Sequence, residues 1–76
     1  EEDIEKIKKI MNDCDKIHGF TNLKCIKSGS YRDIDITILC DANMSIKDCH
    51  KICDTLENKI RETLPNTLIT IHCEPY

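Results

Sequence analysis

Alternation of apolar and polar residues along positions 33–38, within a predicted strand at 31–40, constrains the fold of this chain more than any other feature of its sequence. The apolar side chains fall on every second position, at Ile34, Ile36 and Ile38, and Cys40 lies on the same face. The polar side chains between them are those of Asp33, Asp35 and Thr37. A period of two residues is typical of a β-strand with one buried and one uncovered face. The chain is therefore expected to build a sheet that has an apolar layer on one side.

Two further segments are predicted to be strands. Residues 22–28 precede the alternating strand, and Gly29 and Ser30 predict the turn between the two. Residues 67–73 form the last predicted strand, and one face of it carries Ile69, Ile71 and Cys73. The opposite face carries Leu68, Thr70, His72 and Glu74.

Two segments carry apolar residues at intervals of three and four, which is typical of amphipathic helices. The first covers residues 1–17, ends before Gly19, and has an apolar stripe of Ile4, Ile7, Met11 and Cys14. The second begins after Ser45, which suits an N-cap, and ends before Pro65. Its predicted buried stripe consists of Ile46, Cys49, Cys53, Leu56, Ile60 and Leu64.

These elements predict an α+β fold of order αββαβ, because each helix and each strand has a single apolar side. Both helices are expected to lie on one face of a three-stranded sheet, as a ferredoxin-like, metallochaperone-like two-layer sandwich. The side chains expected to be almost fully buried are Ile34, Ile36, Ile38, Leu56, Ile60, Ile69 and Ile71. The other face of the sheet is left to meet water or a second subunit.

Length and charge narrow the classes of protein that remain. Seventy-six residues with 39% hydrophobic content predict one domain spanning residues 1–76. A domain this short buries only about 60% of its unfolded surface, so a metal or a partner subunit would help to stabilise it. A net charge of −3, with 11 basic and 14 acidic residues interspersed, argues against nucleic acid as a partner. No run of about 18 apolar residues occurs, so the polypeptide is expected to be soluble as it stands.

Six cysteines in a short chain raise the question of a disulfide framework. Five of them fall in phase with the apolar residues of the predicted elements: Cys14, Cys40, Cys49, Cys53 and Cys73. A reduced thiol behaves as a small hydrophobic group at such positions. All six cysteines, including the less clearly placed Cys25, are therefore expected to be reduced, as in the cytosol.

Several segments between residues 19 and 75 carry a family resemblance. They are Gly19-Phe20-Thr21-Asn22-Leu23-Lys24, Lys27-Ser28-Gly29, Asp35-Ile36-Thr37-Ile38, Met44-Ser45-Ile46 through His50, Leu64-Pro65-Asn66 and Ile69-Thr70-Ile71-His72-Cys73-Glu74-Pro75. Together they resemble the cytosolic C-terminal domain of the cation diffusion facilitator transporters. The ending is the most specific part, since it is similar to that family's terminus of Pro, Gly, apolar residues, His, any residue, an acidic residue and Pro.

The resemblance implies a cytosolic regulatory domain of a homodimeric divalent cation/proton antiporter, working on the cytoplasmic face of the membrane. Its expected partners are a second copy, the transporter's own transmembrane domain, and divalent metal ions. Zinc is the first expectation, with cobalt, iron(II), manganese and cadmium as alternatives. The implied metal ligands are His50, His72 and Glu74. Thr21 and Thr37 stand where relatives place further histidines, so a reduced or rearranged site is expected.

The residues themselves leave a role in metal binding open. His72 and Glu74 are two apart on a strand and point the same way, as two ligands of one ion require. His50 lies on a flank of the second helix, where it is otherwise an i, i+4 partner of Asp54. His72 could equally well be a solvent-exposed strand residue that binds no metal. His18 is expected to serve the C-terminal end of the first helix.

Other classes of protein share this layer architecture. A metallochaperone that hands copper to a partner normally carries a Cys-x-x-Cys loop, and no such spacing occurs here. An ACT-like domain would bind a small ligand at a strand-to-helix loop. An enzyme is the least expected class, because no nucleophile with an adjacent base can be placed. The predicted mechanism is a homodimer that metal binding tightens, so that cytosolic metal is reported to the membrane part of the transporter.

Overall fold

The computed structural model describes residues 2–76, which form two helices and three strands. In chain order they are α1 (Glu2–Asn12), β1 (Gly19–Ser28), β2 (Tyr31–Cys40), α2 (Ile46–Thr63) and β3 (Thr67–Pro75). The predicted αββαβ order is confirmed. No helix in this part of the chain is both long and apolar enough to cross a membrane.

The sheet has the strand order β1-β2-β3, so the alternating strand β2 is central. β1 and β2 pair antiparallel through the predicted turn, where Gly29 has a φ of 63° that glycine adopts without strain. β2 and β3 pair parallel, with Ile34 opposite Ile69 and Thr37 opposite His72. A parallel pair needs a long crossover connection, and α2 supplies it.

A single hydrophobic core joins both helices to one face of the sheet. Its buried members are Ile7, Met11, Ile34, Ile36, Ile38, Cys40, Ile52, Leu56, Ile60, Leu64 and Ile69. Because α1 and α2 contribute to the same cluster, they cover the same face, and the predicted two-layer sandwich is confirmed. Of the residues expected to be nearly fully buried, Ile71 alone is only partly buried. It lies toward the far end of an edge strand, where less of the helix layer covers it.

The buried stripe of α2 is rotated from the predicted one. Ile46 was expected in the core, but its side chain is 82% exposed, whereas Ile52 was missed and is only 7% exposed. The buried side chains are Ile52, Leu56 and Ile60, each separated from the next by four residues. Cys49 and Cys53 consequently lie on the flank of the stripe and are half-buried. The Ser45 N-cap is confirmed, since its hydroxyl oxygen accepts the Asp48 backbone N–H at 3.1 Å.

The first helix is shorter than predicted, and the first strand is longer. α1 ends at Asn12 instead of residue 17, and β1 already begins at Gly19. The pairing of β1 with β2 shifts register between Thr21 and Lys24, and Asn22 within that stretch has a φ of 55°. Asparagine tolerates this left-handed conformation better than most residues do. The shift in register lets β1 continue to pair with β2 on both sides of Asn22, so the strand includes residues 19–21 that the sequence prediction left out.

A buried carboxylate ties the two layers of the sandwich together. Asp3 of α1 accepts a hydrogen bond from Nε of Arg32 at 2.8 Å, and Nζ of Lys27 lies 3.1 Å from the same carboxylate oxygen. The Arg32 guanidinium also donates to the backbone oxygen of Pro65, at 3.2 Å. The Arg32 and Lys27 hydrogen bonds hold the pKa of Asp3 below its ordinary value. One arginine thus links α1, β2 and the turn before β3.

Candidate metal centres

His72 and Glu74 lie on the face of the sheet that the helices leave uncovered. Both side chains are exposed, and both belong to the register of β3 that faces away from the core. His72 Nε2 is 3.1 Å from Oδ1 of Asp35 on the central strand. An imidazole and two carboxylates thus stand on one surface, and these are donor groups that divalent cations such as zinc accept. The sequence prediction omitted Asp35, although its place on the same face as His72 follows from the sheet register.

His50 does not join this group within one chain. It is exposed on α2 and lines a surface groove between α2 and β3. The groove is also lined by Cys49, Cys53, Asp54, Thr70 and Cys73. His50 therefore lies beside the helix layer, whereas His72 and Glu74 lie on the uncovered face. The structure places His72 and Glu74 on the same face of the sheet, and it does not bring His50 to that face.

A different set of ligands converges in residues 2–76. The sulfur atoms of Cys40, Cys49 and Cys73 all lie within 4.8 Å of one another. Cys73 Sγ is 3.2 Å from Cys40 Sγ, and it is also in contact with Cys49 Sγ. Cys40 is buried, Cys49 is half-buried and Cys73 is exposed. We call these three residues the thiol cluster.

The thiol cluster corrects two predictions from the sequence. Cys73 does face the helix layer, as predicted, but it is exposed at the end of an edge strand and does not fill the core. Cys49 and Cys73 are paired sulfur to sulfur, so the prediction that all six cysteines are reduced is wrong for these two. Cys14, Cys40 and Cys53 are not in disulfides. The rotation of α2 that exposes Ile46 leaves Cys49 on the flank of the buried stripe, where it is half-buried and still packs against the core.

Burial governs the electrostatics of the two other thiols in this region. Desolvation, with a smaller contribution from Cys14, raises the pKa of Cys40. Desolvation also raises the pKa of Cys53, and Cys40, Asp54 and Glu57 raise it further. Within the thiol cluster, Cys40 is therefore the sulfur that is shielded from solvent, and Cys73 is the one that solvent can reach.

His18 has a role that its sequence position did not predict. Because α1 ends at Asn12, His18 is too far along the chain to serve that helix's C-terminal end. Its backbone N–H donates to the Leu39 oxygen at 2.7 Å, and its ring stacks on Tyr76 with centroids 4.2 Å apart. The Tyr76 N–H donates to the Cys40 oxygen at 2.7 Å, so these contacts fasten the last residue beside the end of β2.

An αββαβ two-layer sandwich defines a class of small α+β domains. Comparison with protein families gives the particular family. The model for the cytoplasmic domain of cation efflux proteins matches residues 1–76. The chain belongs to this family, as the resemblance to the cation diffusion facilitators predicted, and the family is one of transporter domains rather than of enzymes.

Relatives and solved structures agree with this assignment. Protein p34 of Rickettsia rickettsii is 32% identical over 76 residues, which are 100% of this chain and 25% of that protein. The manganese efflux system protein MneP of Bacillus subtilis is 26% identical over 74 residues, which are 96% of this chain and 25% of that protein. The chain thus spans about a quarter of the length of these relatives.

Among solved structures, the metal-bound C-terminal domain of the transporter CzcD from Thermotoga maritima superposes with a TM-score of 0.91 at 21% identity. This match covers 97% of this chain and 87% of the other. A zinc form of CzrB has a TM-score of 0.89 at 22% identity and covers 97% of this chain and 85% of that one. At these identities the likeness shows a shared fold.

Proposed function

We propose that this chain is the metal-sensing and dimer-forming cytoplasmic domain of a divalent cation efflux transporter. The observation that carries the proposal is that His72 and Glu74 are both exposed on the uncovered face of a cation efflux domain. Asp35 adds a carboxylate 3.1 Å from His72 on that same face. Domains with this fold are known in metal-bound form, among them that of CzcD. No catalytic role of its own is proposed for the domain.

The proposed site uses ligands from two copies of the chain. One protomer offers His72, Glu74 and Asp35, and His50 stands apart on α2. A tetrahedral zinc ion takes four ligands, with imidazole nitrogen at about 2.0 Å and carboxylate oxygen at about 2.1 Å. A second copy that approaches the uncovered face would add ligands, and His50 is the candidate from the helix layer. Thr37, opposite His72 in the sheet, contributes no imidazole to this face.

Metal would act on the domain by selecting one arrangement of the dimer. An ion that binds the closed pair more tightly than the open pair shifts the population toward the closed pair. Each factor of ten in differential affinity corresponds to about 1.4 kcal/mol. The closed pair would then report cytosolic metal to the transmembrane part of the transporter. Imidazole and carboxylate ligands accept zinc, cobalt, iron(II), manganese and cadmium, so the donor set does not by itself choose the ion.

Calorimetric titration of zinc into the His72→Ala variant tests the proposal directly. Loss of a direct ligand should weaken zinc binding by at least about tenfold, since even indirect supporting groups of a metal site cost that much. His72 lies off the core, so the variant should keep its circular dichroism spectrum and its melting temperature. Acidification should weaken binding in the wild type, because protons compete with the metal for imidazole.

Thr70→Ala provides the matched control. Thr70 is exposed on the same face of β3, two residues before His72, and it offers no imidazole or carboxylate. Its replacement should leave zinc affinity unchanged. Equal zinc affinity in His72→Ala and wild type would contradict the proposed site. A dimer whose shape and stability do not respond to zinc would contradict the sensing mechanism.

A further inference from the structure

We propose that the thiol cluster of Cys40, Cys49 and Cys73 is a second metal site, which binds a thiophilic cation such as Zn²⁺, Cd²⁺ or Cu⁺ through three thiolates. This site is separate from the proposed His72 and Glu74 site, since it lies on the helix side of the sheet. The three cysteines come from three different elements, β2, α2 and β3. Their convergence is therefore a property of the fold, and no sequence spacing encodes it.

The distances between the sulfur atoms suit a shared ion. A zinc ion bound at about 2.3 Å by each thiolate in tetrahedral geometry places the sulfurs about 3.8 Å apart. The three sulfurs of the cluster lie within 4.8 Å of one another, and the pair from Cys40 and Cys73 is 3.2 Å apart. To admit the ion, side-chain rotations must separate these sulfurs, those of Cys49 and Cys73 most of all because they are in direct contact.

In the reduced protein, a bridging metal also suits the backbone separation of Cys49 and Cys73. Their Cα atoms are 7.4 Å apart, whereas those of a disulfide usually lie between about 4.4 and 6.8 Å. A metal ion inserted between two thiolates lengthens the bridge and removes the need to pull α2 and β3 together. Metal binding and a disulfide use the same two sulfurs, so they exclude each other. The proposed site belongs to the reduced protein.

The thiol cluster is buried on one side and open to solvent on the other. Cys40 is only 2% exposed and is fixed in the core of the central strand. Cys73 is exposed and Cys49 is half-buried, so an ion can reach the sulfurs from the groove between α2 and β3. A fourth coordination position would face this groove. Core packing alone does not explain the cluster, because an exposed cysteine on an edge strand contributes little to a core.

The chemistry of sulfur restricts the class of cation. Thiolates select soft and borderline metals, among them copper(I), zinc and cadmium, and disfavour manganese and magnesium. A transporter domain with this cluster would therefore distinguish thiophilic cations from manganese at this site. The proposed His72 and Glu74 site lacks that selectivity, because its oxygen and nitrogen donors accept both kinds of ion.

Absorption spectroscopy of the reduced protein tests the inference. With phosphine reductant present, addition of Cd²⁺ or Co²⁺ should produce thiolate-to-metal charge-transfer absorption that saturates at one ion per chain. Cys73→Ser and Cys49→Ser should each lose most of this absorption and should lower the affinity for Cd²⁺ by at least about tenfold, the cost of even a supporting group. Both residues lie outside the fully buried core, so both variants should fold. Mn²⁺ should give no charge-transfer absorption in any variant.

Two controls separate this site from the proposed function. Cys25→Ser removes a half-buried cysteine of β1 that is not in the cluster, and it should keep the full absorption. His72→Ala should also keep it, because imidazole and carboxylate ligands do not produce thiolate charge transfer. Absence of the absorption in the reduced wild type would overturn the inference, as would its persistence in Cys73→Ser. Because Zn²⁺ can also bind the thiol cluster, the zinc titration of His72→Ala described above is repeated in a Cys73→Ser background, which lacks the cluster and keeps the His72 site.

Discussion

At the scale of single residues, the structure shows how one buried charge is accommodated. Asp3 sits in the first turn of α1, where the helix dipole favours negative charge, and its carboxylate meets Arg32 and Lys27. A carboxylate enclosed in this way is stable only while its partners remain in place. The acidic start of the chain predicted a favourable helix beginning. It did not predict that one of these acids would reach across to the hairpin.

Replacement of Asp3 should lower stability in a manner that depends on pH. The pKa of Asp3 is lowered in the folded protein, and an unfolded aspartate titrates near 3.9. Its stabilising contribution is therefore fully present above about pH 4 to 5, and it is lost as pH falls through the lower folded-state pKa. Asp3→Asn should reduce the free energy of unfolding at pH 7, measured by urea denaturation. The difference from wild type should shrink below about pH 4.

Asp15→Asn is a suitable control for this prediction, because Asp15 is exposed in the loop between α1 and β1. It should change the free energy of unfolding by no more than about 0.5 kcal/mol at any pH. A stability difference for Asp3→Asn that stayed constant down to pH 2 would show that the carboxylate charge is not what stabilises the fold.

At the scale of elements, the order and type of all five helices and strands follow from sequence periodicity, whereas helix phase and helix length do not. Alternation in β2 is unambiguous because Ile34, Ile36, Ile38 and Cys40 all lie on the face that the helices bury. In α2 the apolar residues spread around more than one face. The sequence therefore allows two orientations of the helix, one that buries Ile46 and one that buries Ile52. Only the packing of α2 against β2 and β3 decides between them. For α1 the apolar pattern continues past Asn12, but the chain must leave the helix to enter β1.

The candidate sites likewise combine features that local periodicity predicts with features that only tertiary packing decides. His72 and Glu74 share a face because neighbouring strand positions alternate, and this much is local. The meeting of Asp35 with His72 needs the strand register, and the thiol cluster needs the docking of α2 on β3. Long-range contacts of this kind have no signature in the spacing of residues. They become visible only when register and helix rotation are known.

A matched pair of substitutions in α2 tests the observed helix phase. Ile52→Ala removes a buried side chain and should destabilise the domain by about 2–5 kcal/mol, through lost burial and the cavity that remains. Ile46→Ala makes the same chemical change at an exposed position of the same helix, and it should cost less than about 0.5 kcal/mol. Chemical denaturation under reducing conditions measures both. Equal losses, or a larger loss at Ile46, would mean that the predicted stripe and not the observed one faces the core.

At the scale of the whole molecule, the uncovered face of the sheet carries apolar side chains as well as the proposed ligands. Ile26 and Leu68 flank Asp33 in one row across the three strands, and Tyr31 lies on the same face two positions away on β2. All three apolar side chains are among the most exposed large hydrophobic residues. An apolar patch beside polar groups is typical of a surface that meets another protein. A small domain that buries little surface of its own gains stability when such a face is covered.

Charge placed on this patch should therefore weaken the proposed homodimer. Leu68→Glu would place a carboxylate in the contact that the uncovered face makes with the second copy, and the dissociation constant of the dimer should rise by about tenfold or more, as expected where an interface residue contributes over 1 kcal/mol. Sedimentation velocity over a concentration series, with and without zinc, measures the change. Ile46→Glu is the control, because Ile46 is still more exposed but lies at the start of α2, away from the uncovered face. The control should dimerise as the wild type does. If Leu68→Glu dimerises normally while Ile46→Glu does not, the two copies meet through the helix layer, and His72 and Glu74 would then face solvent in the dimer.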